Sequence, residues 1–152
     1  MIPPFDEHGE LPPGTHECTL AEFQERFAFS ARRRELLHSL RGVLRALERA
    51  GVLRVWIGGS FVTTKQEPGD VDLCWEQHSS VDVTRLGEPF WNGDGLAGTA
   101  EVADLDVMPE DPELGLVRMV LSHSCEGRPR GIALIRLGPA PPVGESNIEP
   151  GR

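Results

Sequence analysis

The clearest pattern in the chain is a helical repeat of apolar residues between positions 31 and 50. The apolar residues recur with a period of about 3.6, and arginines and glutamates occupy most of the other positions. The apolar positions are Leu36, Leu37, Leu40, Val43, Leu44 and Leu47. Gly51 follows at a place where glycine commonly ends a helix. The pattern predicts an amphipathic helix over residues 31–50.

A shorter helix is predicted upstream, where Thr19-Leu20-Ala21-Glu22 fits a capping box. Thr19 is expected to be the N-cap, with Glu22 reaching back to it. The helix should run to about Phe27 and place Phe23 and Phe27 in the core. The preceding residues, 2–16, contain four prolines and two glycines, which predicts an irregular arm lying over the domain.

Apolar and β-branched runs predict four strands, over residues 52–57, 70–76, 101–108 and 131–137. Pro109-Glu110-Asp111-Pro112 predicts the start of a helix that runs to about Ser122. For residues 79–98 the sequence predicts a mixture of short helix and loop.

The domain organisation follows from these elements, because no internal repeat or second domain is visible in the sequence. We predict one domain over residues 1–138, with an irregular N-terminal arm over residues 1–18. Residues 139–152 are rich in proline, glycine and serine without apolar periodicity, which predicts a disordered tail.

The amino-acid composition and the cysteine content indicate the class of protein and its compartment. The hydrophobic fraction of 39% and the charged fraction of 26% are those of an ordinary globular protein. The first residues lack the basic start and apolar run of a signal peptide, and no stretch approaches the ~18 apolar residues of a membrane span. The three cysteines, Cys18, Cys74 and Cys125, are too sparse for a disulfide framework. We therefore expect a cytoplasmic protein with reduced thiols.

The charge balance argues against general nucleic-acid binding. With 24 acidic and 15 basic residues the net charge is -9, which repels phosphate backbones. A nucleotide substrate is not excluded, because a bound divalent metal reverses the local field. The run Arg32-Arg33-Arg34 is interpreted as the solvated start of a helix, with contact to a phosphate or an acidic partner as the alternative.

Chemistry is concentrated in the middle of the chain. The strand over residues 52–57 runs into Gly58-Gly59-Ser60, and two glycines allow a sharp turn and the close approach of a ligand. If Ser60 to about Thr64 opens a helix, its free N–H groups can bind an anion, and the Ser60 hydroxyl adds a donor. The arrangement suits a triphosphate.

Carboxylates follow on the next predicted strands. Asp70 and Asp72 are one residue apart, so a strand places both side chains on the same face, where they can bind hard divalent cations. A third carboxylate on a neighbouring strand usually completes such a site. Asp104 and Asp106, on the predicted third strand, are the candidates.

Other interpretations are weaker. Gly-Gly-Ser alone is most often a turn, and Asp-x-Asp alone is most often a solvated strand end. The histidine–cysteine pairs lack the Cys-x2-Cys spacing of a structural zinc site. The sequence also has no Gly-x-Ser-x-Gly elbow and no Gly-Lys-Ser/Thr phosphate loop. The combination of Gly-Ser, nine residues, and then Asp-Val-Asp is much more specific than either part.

This central segment resembles the polymerase-β-like nucleotidyltransferase superfamily. The matching residues are Ile57-Gly58-Gly59-Ser60-Phe61-Val62-Thr63 and Pro68-Gly69-Asp70-Val71-Asp72-Leu73. The chain also resembles a group of short bacterial members of that superfamily. That resemblance rests on Ile2-Pro3-Pro4-Phe5, Leu11-Pro12-Pro13-Gly14, Asp106-Val107-Met108-Pro109 and Arg130-Gly131-Ile132.

The resemblance implies an α/β (α+β) fold with a small mixed β-sheet flanked by helices. It also implies Mg²⁺-dependent transfer of a nucleoside monophosphate from an NTP. Gly58, Gly59 and Ser60 would form the nucleotide-binding turn, with Gly59 and Ser60 at the β- and γ-phosphates. Asp70 and Asp72 would be catalytic metal ligands. Asp106 is the choice for the third catalytic and metal-binding carboxylate, with Asp104 as the alternative.

Two functions follow as expectations. The first is an enzyme that transfers AMP to a hydroxyl acceptor, on a partner protein as in toxin–antitoxin systems, on an RNA end or on a small molecule. The second is an inactive protein of the same fold that acts by masking a partner such as a toxin. Some members of the superfamily that the chain resembles lack a working third carboxylate and can be inactive. The two expectations are therefore separated by whether Asp104 or Asp106 points at the Asp70/Asp72 pair.

Overall fold

A computed structural model describes residues 1–90 and 98–138 of the chain. Over these residues the strands are β1 (Thr15–Cys18), β2 (Arg54–Gly58), β3 (Val71–Glu76), β4 (Ala100–Val102), β5 (Leu105–Glu110) and β6 (Ile132–Arg136). The helices are α1 (Leu20–Phe27), α2 (Ala31–Arg49) and α3 (Leu116–Leu121), with 3₁₀ turns at Gly59–Val62 and Val83–Arg85. No helix among the described residues is long and apolar enough to cross a membrane.

The strands form one mixed sheet in the order β1-β6-β2-β3-β5-β4. Strand β2 is antiparallel to both β3 and β6, whereas β3 and β5 are parallel, as are β1 and β6. One face packs on α1 and α2, and α3 covers part of the other face. The expected mixed sheet flanked by helices is confirmed.

The two N-terminal helices match their predicted positions. Thr19 is the N-cap of α1, and its hydroxyl accepts the Glu22 N–H at 3.0 Å. The other half of the capping box does not form, because the Glu22 carboxylate accepts the Ile2 N–H at 2.8 Å instead. Both Phe23 and Phe27 are buried. Glu22 therefore ties the N-terminal arm to α1.

The predicted third strand is wrong in one respect, because residues 101–108 do not form one strand. They divide into β4 and β5, joined by a tight antiparallel turn at Ala103 and Asp104. Both turn residues have positive φ, of 48° and 67°. The turn contains no glycine, so the sequence does not display the usual hairpin signal.

The predicted helix start at Pro109 is also wrong. Pro109 and Glu110 belong to β5, and α3 begins only at Leu116. The buried Glu110 carboxylate accepts the N–H groups of Val117 and Arg118, at 3.3 and 2.7 Å. Glu110 therefore caps α3 from the neighbouring strand rather than from within the helix.

Part of the predicted irregular arm is a strand. Residues 15–18 form β1, which pairs in parallel with β6, from Thr15 with Ile132 to Cys18 with Ile135. The segment is short and lies among prolines, and its partner is far away in the chain, so local sequence does not reveal it. The predicted tail over residues 139–152 lies outside the described residues, as do residues 91–97 of the predicted helix-and-loop region.

The interpretation of Arg32-Arg33-Arg34 as a solvated run is wrong for Arg33. This side chain is 0% exposed, and it donates to the carbonyl oxygens of Phe61, Thr63 and Lys65 at 2.7, 2.6 and 2.8 Å. These carbonyls belong to the end of the Gly59–Val62 turn and to the loop that follows it, and the planar guanidinium satisfies them together. Arg33 thus fixes the loop that follows the glycine turn.

Candidate metal centre

Two parallel strands bring the predicted carboxylates together. Asp72 on β3 is paired in register with Asp106 on β5, and Asp70 lies just before β3 begins. One carboxylate oxygen from each of Asp70, Asp72 and Asp106 lies within 4.8 Å of the others. We call this cluster the carboxylate triad. It is the only group of three or more potential metal-ligating side chains among residues 1–90 and 98–138.

Asp104 does not join the triad. It lies in the turn between β4 and β5, its side chain is 62% exposed, and it forms an ion pair with Arg32 at 3.1 Å. Arg32 also donates to the carbonyl oxygens of Pro68 and Gly69, at 3.1 and 2.8 Å. The same guanidinium therefore holds Asp104 and fixes the loop that leads into Asp70.

The predicted glycine turn lies directly against the triad. Gly58 is paired in register with Asp72, and Gly59 has a φ of +73°, which favours glycine. A Cβ atom on Gly59 would lie 2.6 Å from Asp72 Oδ2, and one on Gly58 would lie 2.7 Å from the Cβ of Leu121. Both glycines are needed for close approach, Gly58 to α3 and Gly59 to the triad.

Ser60 is half-buried within the 3₁₀ turn Gly59–Val62. This turn is shorter than the helix considered from Ser60 to about Thr64. It ends because Thr63 adopts an extended backbone, and the Thr63 hydroxyl donates to the Ser60 carbonyl at 2.6 Å. Arg33 binds the carbonyls that follow, so the loop does not continue as a helix.

Replacing Gly59 with alanine is expected to destabilise the protein by about 1–2 kcal/mol, because a side chain at positive φ is strained. Asp72 must also move away from the new Cβ, so metal affinity should fall in the same variant. Gly69→Ala is the matched control, since a Cβ there meets nothing within 4 Å. Denaturant unfolding and a metal titration measure the two effects, and equal results for both variants would contradict the proposed role of Gly59.

Burial and mutual repulsion raise the pKa values of two triad members. Burial, followed by the charge of Asp70, raises the pKa of Asp72 to about 6. Burial, followed by the charge of Asp106, raises the pKa of Asp70. Three carboxylates this close repel each other at neutral pH, and a cation relieves that repulsion.

The donor set fits a hard divalent cation such as Mg²⁺. All three ligating groups are carboxylates, which are the oxygen ligands that this ion prefers. The nearest cysteine on the same strand, Cys74, points into a second apolar cluster with Trp56 and Leu134. Burial raises the pKa of the Cys74 thiol to about 12, so it is a neutral core residue.

A groove of about 570 Å³ opens beside the triad. Its lining comprises Gly59, Asp72, residues 119–121 of α3, residues 123–125 and Arg130. Sequence reasoning did not single out Arg130 as a site residue. Its position depends on the return of the chain before β6, and nothing in the local sequence indicates that it faces Asp72.

The protein is thus a small α/β protein with an open mixed sheet, in which Asp72 and Asp106 on adjacent strands and Asp70 just before β3 form one carboxylate cluster. Residues 3–135 match the family described as "Family of unknown function (DUF6932)", so the chain belongs to that family. No curated protein and no solved structure matches the chain.

Proposed function

We propose that the protein is an Mg²⁺-dependent nucleotidyltransferase that moves a nucleoside monophosphate, with AMP as the first candidate, from an NTP to a hydroxyl acceptor. The observation that carries the proposal is the carboxylate triad, held against the Gly59 turn at the end of β2. The resemblance to polymerase-β-like nucleotidyltransferases supports the same function, because it rests on the residues that meet at this point.

In this proposal each part of the site has one task. Asp70, Asp72 and Asp106 hold Mg²⁺, which when bound neutralises charge on the phosphate oxygens. The turn at Gly59 and Ser60 leaves room for the phosphates beside the triad. Catalysis then depends mainly on positioning and charge neutralisation, as in other phosphoryl transfers.

The transfer itself uses Asp106. The acceptor hydroxyl oxygen forms a bond to the α-phosphorus, the bond from that phosphorus to the bridging oxygen breaks, and pyrophosphate leaves. Asp106 would accept the proton of the hydroxyl as the general base. Its neighbour Asp72 would hold the metal and would take no part in the proton transfer.

The alternative is a binding protein that keeps the fold without turnover and masks a partner, for example a toxin. One observation favours it: the residues on and before α3 present exposed apolar side chains. Leu114, Leu116, Met119 and Val120 are 67, 57, 55 and 68% exposed. An apolar patch of this kind often marks a protein interface.

Pyrophosphate release tests the proposal whichever hydroxyl group is the acceptor. The full chain is incubated with Mg²⁺, each of the four NTPs in turn, and a panel of hydroxyl acceptors that includes proteins, RNA ends and small molecules. An α-labelled NTP identifies the acceptor that receives the nucleotide. We expect metal-dependent release, abolished in the Asp70→Asn/Asp72→Asn variant. NTP binding without release would favour the masking protein, and neither binding nor release would refute the enzyme.

The free energy of unfolding of the metal-free protein should fall as pH rises from about 4 to about 7. Asp72 has a pKa of about 6 in the folded protein against an ordinary value of 3.8. The folded state therefore binds the proton more tightly, and its stabilisation is present below about pH 4 and lost as pH rises through about 6. After allowance for solvent screening, the change amounts to about 1–2 kcal/mol.

The Asp72→Asn variant supplies the control for that pH dependence. It should be about 1–2 kcal/mol more stable than the unsubstituted protein at pH 7.5 without metal, and no more stable at pH 4. Added Mg²⁺ should stabilise the unsubstituted protein and not the variant. Urea unfolding at each pH measures these values, and a variant that loses stability at pH 7.5 would contradict the account of the triad.

A further inference from the structure

Arg130 is a mostly buried arginine that lies near Asp72 but forms no hydrogen bond with the triad among the described residues. It lies in the chain just before β6, where its backbone N–H donates to the Ser122 carbonyl at 2.8 Å. The next residue, Gly131, donates to the Leu11 carbonyl at 2.8 Å. A Cβ on Gly131 would clash with the Pro12 carbonyl oxygen, so glycine is needed for this close approach of the two segments. The Arg130 side chain is 16% exposed.

The hydrogen-bonding capacity of Arg130 is largely unused. Among the described residues its single side-chain bond is a long one, from Nη1 to Glu10 Oε2 at 3.5 Å. Its Nε is buried and has no hydrogen-bond partner within the described part of the chain, where it is the only buried side-chain nitrogen or oxygen in that condition. An unsatisfied buried donor is costly and needs an explanation.

Glu10 does not supply that explanation, because another arginine already occupies it. Arg128 donates to Glu10 Oε1 from both Nε and Nη2, at 3.2 and 3.1 Å. One carboxylate thus faces two guanidinium groups, and the shorter contacts belong to Arg128. The other carboxylate near enough to interact with the charge of Arg130 is that of Asp72, in the lining of the same groove, and among the described residues no hydrogen bond joins the two side chains.

The Arg130 side chain lines two neighbouring grooves. Arg130 lines the groove that contains Gly59 and Asp72. It also lines a second groove of about 400 Å³, which includes Pro13, Gly14 and Thr15. The two grooves share Met119, His123 and Arg130, so a cation lies at the junction of both.

We propose that Arg130 binds phosphate oxygens of the ligand that occupies this junction, beside the carboxylate triad. A guanidinium presents a planar set of donors that matches phosphate geometry, and within residues 1–90 and 98–138 only Nη1 of Arg130 is engaged, through the long bond to Glu10. The inference rests on the proposed function and adds to it a named phosphate-binding residue. The phosphate reaches Arg130 either as part of the nucleotide, through the groove of Asp72, or as part of a phosphate-bearing acceptor, through the groove of Thr15.

Calorimetric titration of the full chain with inorganic tripolyphosphate, ATP and adenosine, each with Mg²⁺, tests the proposal. Arg130→Met should weaken tripolyphosphate and ATP binding at least about tenfold and leave adenosine binding unchanged. Arg130→Lys, which keeps the charge, should give an intermediate loss. Arg136→Met is the matched control, because Arg136, at the end of β6, pairs with Glu17 of the neighbouring strand β1 and lines neither groove.

A separate titration tests whether the phosphate that Arg130 binds belongs to the acceptor. Inorganic phosphate is titrated into protein saturated with ATP, as a probe for a phosphate on the acceptor. If Arg130→Met weakens this binding and leaves ATP binding unchanged, Arg130 serves the acceptor. If a folded Arg130→Met variant binds all of the phosphate probes as tightly as the unsubstituted protein, the inference is overturned. Thermal unfolding of each variant checks the fold.

Failure of this inference is distinguishable from failure of the proposed function. Tripolyphosphate binding that depends on Arg130, together with no pyrophosphate release from any NTP, would support the inference and refute the enzyme. NTP turnover that Arg130→Met leaves unchanged would refute the inference alone. An unsubstituted protein that binds neither NTP nor any phosphate probe would refute both.

Discussion

The Asp106→Asn variant is expected to lose nucleotide transfer by about a thousandfold or more. Asp106 is proposed to hold the metal and to accept the proton of the attacking hydroxyl, and general bases alone contribute about 10²–10⁴-fold. Loss of one preformed electrostatic contact costs a further factor of about 10²–10³ when the charge is placed on the transition state. Pyrophosphate release with the best NTP and acceptor measures the loss.

Asp104→Asn is the matched control, since the same residue type is changed two positions away. Asparagine tolerates the positive φ found at this position. The substitution removes only an exposed ion pair with Arg32, which is worth at most about 1 kcal/mol. Transfer should therefore remain within about twofold of the unsubstituted protein. A variant of Asp104 as inactive as that of Asp106, with the fold intact, would contradict the assignment of the third carboxylate.

The second large effect is on stability, at Arg33. Arg33→Met is expected to lower the free energy of unfolding by about 3–5 kcal/mol, because it leaves several buried carbonyl oxygens without donors. The buried carbonyls of Phe61 and Thr63 and the partly buried carbonyl of Lys65 each accept a bond of 2.8 Å or less from this guanidinium. Since this loop continues the Gly59 turn, metal affinity should fall in the same variant.

The adjacent arginine provides the control. Arg34 is exposed and donates to the Ala28 carbonyl at 3.0 Å, so Arg34→Met should change the free energy of unfolding by no more than about 0.5 kcal/mol. The loss of unfolding free energy in Arg33→Lys should lie between those in Arg33→Met and Arg34→Met, because one ammonium group cannot reach all the acceptors of the planar guanidinium. Denaturant unfolding compares the three variants. A loss below about 1 kcal/mol in Arg33→Met would show that water satisfies the carbonyls.

Features that depend on residues close together in the chain were predictable from the sequence. The apolar repeat of α2 and the Thr19 cap of α1 depend on residues within one or two turns of each other. The placement of Asp70 and Asp72 on one side of the chain follows from the alternation of side chains along an extended backbone, although Asp70 itself precedes β3. The sequence pattern offered both Asp104 and Asp106 as the third carboxylate, and only the resemblance favoured Asp106.

Features that depend on distant partners were not predictable. The division of β4 from β5 leaves Asp104 in a turn, and that turn carries no glycine to mark it. Strand β1 exists only because β6 returns beside it. Arg33 has the same sequence neighbourhood as its exposed neighbour Arg34, and its burial is decided by the carbonyls that face it. Arg130 is likewise placed by the chain before β6.

The most direct measurement of the central hypothesis is binding of Mn²⁺, used in place of Mg²⁺ because its electron spin resonance signal counts the free ion. The titration is made with and without a nonhydrolysable ATP analogue. We expect the unsubstituted protein and Asp104→Asn to bind Mn²⁺ more tightly when the analogue is present, and Asp72→Asn and Asp106→Asn to lose this binding. If the unsubstituted protein binds no Mn²⁺, or if Asp106→Asn binds it as tightly as Asp104→Asn, then the carboxylate triad is not a metal centre.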